Sequence, residues 1–377
     1  MTTFRIMSKD DNPESLENIE NNDPENPESL PLNPLNIKYL RFKDDIDHII
    51  DKYGTTIRNI GSDKVADRIM DLLSDTFPIE KYQILNYLVE KKIDVIDSRG
   101  CSPIFLTLNG TWENSNLQFK CVELLLKNNA DLSLKTKAGN TPLHVAGIYC
   151  QYLEIFSLLL RYGAQLNALN NDGQNPLFLV LKQKFTSNSG KFLFIKAAVE
   201  HLHHFHHNPH HDYDEDGGEN PTIKMLNNRD KYGRNILHYI HLGQAFRSYN
   251  NRYTKDNNDT KELCDFVLSH GADPFVFDEE NKSPLFLLLN NCIPGHVNID
   301  HVKSLFCEEH INRKLDGGYT ILHAAIRHSL EIIKFFLNNG ADPNLAANNG
   351  LKPSYYAGDK YPEVLDFLEQ YQDLPSY

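Results

Sequence analysis

Apolar residues recur along the chain in short groups with helical spacing, separated by polar turns rich in glycine and asparagine. The clearest pair of groups lies in residues 139–167, GNTPLHVAGIYCQYLEIFSLLLRYGAQLN. Its first half predicts a slender helix, because Pro142 suits the first helical position and Ala146 is small. Its second half, Ile155–Leu160, predicts a helix with a broad apolar stripe. Gly163 has no Cβ and can end this helix in the left-handed conformation.

The same pattern starts again at intervals along the chain. Corresponding helix starts lie at Ser102, Asn175, Asn235, Ser283, Thr320 and Lys352. Corresponding helix ends lie at Asn129-Ala130-Asp131, Gly271-Ala272-Asp273 and Gly340-Ala341-Asp342. With TPLHxA, LL and GAxxN in this order, the series resembles the ankyrin-repeat family, whose unit has about 33 residues. The resemblance covers roughly Lys64 to Leu368. It implies an all-α ankyrin-repeat solenoid of helix-turn-helix units with β-hairpin fingers.

The histidine position of the family motif is filled in some copies and not in others. It is filled by His144, His238 and His323. The resemblance implies a structural role for them, as hydrogen-bonding residues that join neighbouring turns, and no catalytic role. Larger aromatic residues replace the histidine at Phe105, Phe178, Phe286 and Tyr355. We expect these rings to enlarge the apolar core and to change the angle between repeats.

The regions outside the regular repeats predict the domain organisation. Residues 1–36 are rich in Asn, Pro, Glu and Asp and predict a disordered acidic tail, with a peptide that docks on another protein as the alternative. Residues 37–96 have apolar residues at helical spacing and predict an N-terminal helical cap or degenerate repeat, with an adaptor module as the alternative. The array itself is expected over residues 97–369, and a C-terminal tail over 370–377.

Two insertions are expected within the array. The first, near 184–228, holds a predicted helix at Phe192–His207, followed by a loop that contains proline and glycine. The second, near 244–259, is polar, and it predicts a mobile loop between the two helices of one repeat.

The first insertion contains a histidine tract. His203 and His207 are four residues apart, so on a helix both could face one zinc or nickel ion, with Asp212 and Asp214 as nearby oxygen donors. Titration of the adjacent imidazoles near neutral pH is a second interpretation. A solvated helix end that runs into a disordered loop is the third, and it requires no ligand.

Composition narrows the class of protein. A formal net charge of -13 opposes direct nucleic-acid binding, which needs clustered lysine and arginine. The six cysteines have no CxxC pairing, which suits reduced, buried thiols. The apolar runs are too short to span a bilayer, and the first ten residues lack the apolar stretch of a signal peptide. We therefore expect a cytoplasmic or nuclear protein without membrane insertion.

Enzyme chemistry is not predicted. The sequence has no GxxxxGK phosphate loop, no HExxH, no GxSxG and no dinucleotide fingerprint. We expect neither a catalytic domain nor a cofactor.

The sequence therefore predicts a non-catalytic scaffold or adaptor that binds one or more proteins through its fingers and concave face, with acidic segments as candidate ligands. Candidate contact residues are Lys135, Lys137, Asn140, Asn171, Arg229, Lys231, Tyr232, Arg234 and Tyr319. The alternative interpretation of the lysines and arginines in this set is that each is solvated on its own hairpin. The resemblance also implies asparaginyl hydroxylation sites at Asn167 and Asn344.

Two other functions stay open. One is an auxiliary regulatory subunit of a transcription or cell-cycle complex. The other is a metal- or pH-responsive binding protein that uses the histidine-rich insertion.

Overall fold

The computed structural model describes residues 70–71, 73–74, 78–90, 96, 102–109, 112, 115–149, 152–183, 188–206, 220–245, 256–358 and 361–372. All of them belong to one compact unit, Thr56–Tyr377. The predicted acidic tail at 1–36 lies outside the described residues, as does most of the predicted cap. Within these ranges, no helix combines the length and the apolar character that crossing a bilayer needs.

Helices fill most of the described ranges. They are α1 (Pro78–Glu90), α2 (Pro103–Leu108), α3 (Ser115–Lys127), α4 (Pro142–Tyr149), α5 (Leu153–Arg161), α6 (Pro176–Lys182), α7 (Asn188–His206), α8 (Pro221–Leu226), α9 (Ile236–Ala245), α10 (Asp256–Ser269), α11 (Pro284–Asn291), α12 (Ile299–Ser304), α13 (Ile321–Ala325), α14 (Leu330–Asn338), α15 (Pro353–Ala357) and α16 (Pro362–Gln372). Short 3₁₀ turns lie at Glu308–His310 and Asp316–Gly318. The predicted helix starts are confirmed.

The helices pack as two layers. The first helices of successive repeats stack on one another, as α4 on α6, α9 on α11 and α13 on α15. The second helices form the other layer, in which α3 contacts α5, α5 contacts α7 and α7 contacts α10. The core lies between the layers, where Phe156, Phe178, Phe194 and Phe336 are fully buried. Burial of each such side chain stabilises the fold by about 1.5–3 kcal/mol.

Helix α7 has a different place from the one expected for residues 184–228. We predicted that Phe192–His207 belongs to an insertion, but α7 is the second helix of the repeat that α6 begins. The rings of Phe156 and Phe194 meet edge to face across α5 and α7, with centroids 5.2 Å apart. The extra sequence in this repeat is therefore the segment after α7 together with α8.

Other observed segment boundaries also differ from the predicted ones. The second insertion is narrower than 244–259, because α9 extends to Ala245 and α10 begins at Asp256. Helix α16 ends at Gln372, inside the predicted tail at 370–377. Tyr355 is 66% exposed, so its ring does not enlarge the core as expected. Phe178 does, because it is fully buried and stacks on Tyr239 with centroids 4.6 Å apart.

A tight turn follows each second helix and forms a finger. The amide of its first residue donates to the carbonyl of its last, in turns 136–140, 170–174, 230–234, 278–282, 315–319 and 347–351. Within the described residues these fingers are turns without a β-ladder.

Backbone hydrogen bonds also join one finger to the next. Amide donors and carbonyl acceptors are Asn171 to Ala138 (3.1 Å), Lys231 to Asp172 (2.8 Å), Glu279 to Tyr232 (2.8 Å) and Asn348 to Gly317 (2.9 Å). Each bond fixes the position of one repeat relative to its neighbour.

Close approach between fingers requires glycine at two positions. A Cβ on Gly139 would lie 2.4 Å from Oδ1 and 2.7 Å from the amide nitrogen of Asn171. A Cβ on Gly318 would lie 2.3 Å from Oδ1 of Asn348. Both glycines also have positive φ, at +78° and +76°.

We expect Gly139→Ala to lower the free energy of unfolding by about 2–4 kcal/mol, because backbone strain adds to a clash with the next finger. Gly163→Ala is the control, because Gly163 has φ +88° but no atom within 4 Å of the added Cβ. Strain alone should cost about 1–2 kcal/mol there. Urea unfolding of both variants measures the difference. Equal losses would mean that the finger contact does not constrain Gly139.

Candidate protein-binding surface

The surface described here consists of the six fingers and the residues that flank them. Three of these fingers are held from below by a buried histidine on the first helix of the preceding repeat. His144 illustrates the connection, since its Nδ1 accepts a hydrogen bond from the Thr141 amide at 3.1 Å. Its Nε2 lies 2.9 Å from the carbonyl of Gln174, at the end of the next turn. Since Nδ1 is the acceptor, Nε2 carries the proton and donates to that carbonyl.

The same connection recurs at His238 and His323. Nε2 of His238 lies 3.1 Å from the carbonyl of Lys282, and Nε2 of His323 lies 3.3 Å from that of Leu351. All three histidines therefore join a helix start to the next finger, as the sequence predicted. Burial lowers the pKa of each, that of His238 to about 4.

Buried carboxylates close two of the turns. Oδ1 of Asp230 accepts from the amides of Tyr232 and Arg234, at 2.9 and 2.8 Å. Its Oδ2 accepts from the Tyr239 hydroxyl at 2.6 Å. Asp278 is equally buried, and its Oδ2 lies 3.2 Å from Nε of Arg234 in the preceding finger. These acids stabilise the turns and the contact between two fingers.

Most of the predicted basic contact residues have partners inside the array. Lys135 donates to the carbonyl of Leu169 at 3.1 Å. Arg229 donates to the carbonyls of Gly233 and Phe277. Lys231 pairs with Asp172 at 2.9 Å, and this hydrogen bond raises the pKa of the lysine.

Arg234 and Lys137 are the two remaining basic residues among the predicted contacts. Arg234 pairs with Asp278 and, at 3.0 Å, with Glu280. Lys137 is exposed, and its carbonyl accepts from the side-chain amide of Asn171. Lys231 and Arg234 are therefore paired with acidic groups of neighbouring fingers, which reduces the positive charge that they offer to a partner.

The two predicted asparagines contact neighbouring fingers, and Tyr319 contacts helix α15. Oδ1 of Asn140 accepts from Nδ2 of Asn170 at 2.9 Å. The hydroxyl of Tyr356 donates to that of Tyr319 at 3.2 Å. These residues support the fingers from the side.

Tyr232 is the predicted contact residue that offers apolar area to solvent. It is 43% exposed at the tip of its turn. Nζ of Lys231 and Cζ of Arg234 each lie 5.0 Å from the ring centroid. Cations at this distance are attracted to the ring and hold its orientation. On the next repeat, Phe275 is 44% exposed just before the turn, and on the preceding one Leu169 is 41% exposed.

The remaining predicted sites lie elsewhere. His203 is exposed at the end of α7, and its ring centroid lies 5.8 Å from that of His270. His207 lies outside the described residues, as do Asp212 and Asp214. Asn167 is exposed and lines a cleft of about 300 Å³ between its turn, α7 and α8. Oδ1 of Asn344 accepts from Nζ of Lys352 at 2.8 Å.

A pair of asparagine clamps was not predicted. Asn227 donates to the carbonyl of Gly271 at 2.8 Å and accepts from the amide of Asp273 at 2.7 Å. Asn312 makes the same two bonds to Gly340 and Asp342, both at 2.8 Å. The shared signal is an asparagine three residues before a turn, opposite a Gly-Ala-Asp triplet in the next repeat.

Family comparison identifies the class of protein. The family model described as ankyrin repeats (3 copies) matches residues 79–170, 112–198, 253–347 and 289–373, which together exceed half of the chain. The chain belongs to the ankyrin-repeat family. Ankyrin repeats are protein–protein interaction modules, and families built from them are generally non-catalytic.

Individual relatives share parts of the sequence. An ankyrin repeat protein of fowlpox virus (strain NVSL) is 25% identical over 248 residues, 63% of this chain and 36% of the relative. Protein phosphatase 1 regulatory subunit 27 of Homo sapiens is 41% identical over 63 residues, 16% of this chain and 39% of the relative. The chain thus spans less than two fifths of these relatives.

A solved ankyrin domain is also similar. The ankyrin repeat domain of Bcl-3, a member of the IkappaB protein family, aligns with a TM-score of 0.45 and 20% identity. The alignment covers 72% of this chain and all of that domain.

The buried finger histidines predict a pH-dependent stability. Their folded pKa values lie below 6.5, so below this pH the unfolded chain binds more protons and the free energy of unfolding falls. For a histidine such as His238, the loss between pH 7 and 5 is about 2 kcal/mol. Urea unfolding at both pH values should show a smaller loss in His144→Gln than in wild type. An unchanged loss in His144→Gln would contradict the assignment.

Proposed function

We propose that this ankyrin chain is a non-catalytic scaffold or adaptor whose protein partner lies along the fingers and the adjoining concave face. The observation that supports it most is the hydrogen-bonded series of fingers, each joined by backbone to a neighbour or held by a buried histidine. Such fingers are rigid before binding, so less conformational entropy is lost when a partner docks.

The character of the exposed groups indicates how a partner is held. Interface hot spots are enriched in tyrosine, tryptophan and arginine, surrounded by contacts that exclude water. Tyr232 is such an anchor, because its exposed ring is flanked by Lys231 and Arg234. These cations already pair with Asp172, Asp278 and Glu280, so a purely acidic peptide would have to compete with those carboxylates. We therefore favour a partner that offers an apolar pocket for the tyrosine and a mixed-charge rim.

Replacement of Tyr232 tests this surface. In Tyr232→Ala the backbone bonds of the turn remain, while the exposed ring is lost. We expect at least about a tenfold loss of affinity for the partner, the size typical of a hot-spot residue. Immobilised wild-type and variant chains would be compared for the partners they retain from source-cell extract, by quantitative mass spectrometry and then with the purified partner.

The chain offers a matched control for this measurement. Tyr162 is also 43% exposed but follows α5, outside the turns. Tyr162→Ala should retain the partner with wild-type affinity. Equal binding by all three chains would exclude Tyr232 as an anchor, and equal loss in both variants would place the partner elsewhere.

A regulatory role is a narrower candidate. It is favoured by the similarity to protein phosphatase 1 regulatory subunit 27, which extends over 63 residues. The same capture experiment would then recover a phosphatase catalytic subunit with the wild-type chain. Its absence from every eluate would remove this candidate and leave the general scaffold function.

A further inference from the structure

Three potential metal ligands meet in the interior, apart from the finger surface. His241 comes from α9, Cys264 from α10 and His301 from α12. One ligand atom of each lies within 4.8 Å of the others. His241 and Cys264 are fully buried, and His301 is 3% exposed. These residues are 23 and 37 positions apart in the sequence, so the fold alone brings them together.

Three of the four ring nitrogens in the two imidazoles of this cluster lack hydrogen-bond partners. Both ring nitrogens of His241 and Nε2 of His301 are buried without a donor or acceptor in reach. The histidines of the fingers differ, since Nε2 of His144 lies 2.9 Å from a carbonyl. Buried polar atoms are nearly always satisfied, so several unsatisfied ones beside a thiol indicate a missing ligand.

We propose that His241, Cys264 and His301 bind a d¹⁰ metal ion, Zn²⁺ or Cu⁺, through two imidazole nitrogens and one thiolate. Zinc and copper are the common biological metals that accept both imidazole and thiolate. Ligand atoms about 2.0–2.3 Å from an ion lie about 3.5 Å from one another. The observed 4.8 Å limit therefore requires the distances between ligand atoms to shorten by about 1.3 Å at most.

Binding exchanges a proton for the ion. Burial raises the pKa of the Cys264 thiol, so the thiol is protonated until the ion binds. Burial lowers the pKa of His241 and His301, so their rings are neutral and have a lone pair to donate. The thiol proton leaves to solvent as the sulfur–metal bond forms. Both electrons of the S–H bond remain on sulfur, which becomes a thiolate.

The location gives the ion a structural role. Helices α9 and α10 flank the second insertion, and α12 belongs to the next repeat. An ion held by all three would pin both sides of the insertion and fasten one repeat to the next. Because the three ligands meet only in the folded chain, binding of the ion stabilises that fold.

The test uses the purified 377-residue chain under reducing conditions. After treatment with a chelator, separate samples receive Zn²⁺ or Cu⁺ and are dialysed, and bound metal is measured by mass spectrometry. We expect about one equivalent of either Zn²⁺ or Cu⁺, which identifies the metal that the site prefers. The metal-loaded chain should also have a higher melting temperature than the chelator-treated chain. A sample loaded with Co²⁺ should show a thiolate-to-cobalt charge-transfer band.

Variants separate this cluster from the histidine tract. Cys264→Ala and His301→Gln should each weaken binding at least about tenfold, and Cys264→Ala should abolish the charge-transfer band. Cys121→Ala is the matched control, because Cys121 is also fully buried but lies in α3. It should keep the ion and the band. Metal bound without a thiolate band, or equally by Cys264→Ala, would place the ion on the tract and overturn the proposal; so would no binding at all.

Discussion

The hydrogen bond between the backbones of neighbouring fingers is the constraint on which the other features of the array depend. Its length, 2.8–3.1 Å in the four pairs, sets the spacing of successive turns. Gly139 and Gly318 meet this spacing because a side chain at either position would collide with the next finger. The finger histidines couple the same spacing to the helices, since each Nε2 reaches a carbonyl of the following turn. The spacing of the fingers on the surface is thereby tied to the stacking of the helices in the core.

That spacing determines what the surface offers to a partner. With the fingers so close, Lys231 reaches Asp172 and Arg234 reaches Asp278, so opposite charges neutralise one another within the array. Exposed ion pairs contribute little to stability, but they hold cations beside the ring of Tyr232. An exposed ring with its orientation fixed loses little entropy on binding. In the proposed function, ring placement and mixed charge contribute more to specificity than net charge does.

The sequence predicted the features that depend on neighbouring residues. The proline-led helix starts, the left-handed glycine at Gly163 and the histidine connections follow from local motifs, and the structure has them. Contacts between residues that are far apart in the chain could not be predicted from the sequence. Arg234 and Asp278 are 44 positions apart, and no local motif signals their ion pair. Helix α7 was read as part of an insertion because its sequence lacks a repeat motif, whereas its packing against α5 and α10 makes it a regular second helix.

Two long connections interrupt the array, and side-chain links between repeats lie close to both of them. The entropy cost of closing a loop rises only slowly with length, so the segments after α7 and between α9 and α10 are tolerated. The helices that flank them are positioned by contacts with other helices, as α7 is by α5 and α10. The structure has side-chain links at these places: Asn227 clamps the repeat after α8 to Gly271 and Asp273. The cluster of His241, Cys264 and His301 lies at the other long connection. Asn312 makes the same clamp in a repeat without an insertion, so these links reinforce the finger contacts and are not confined to the long connections.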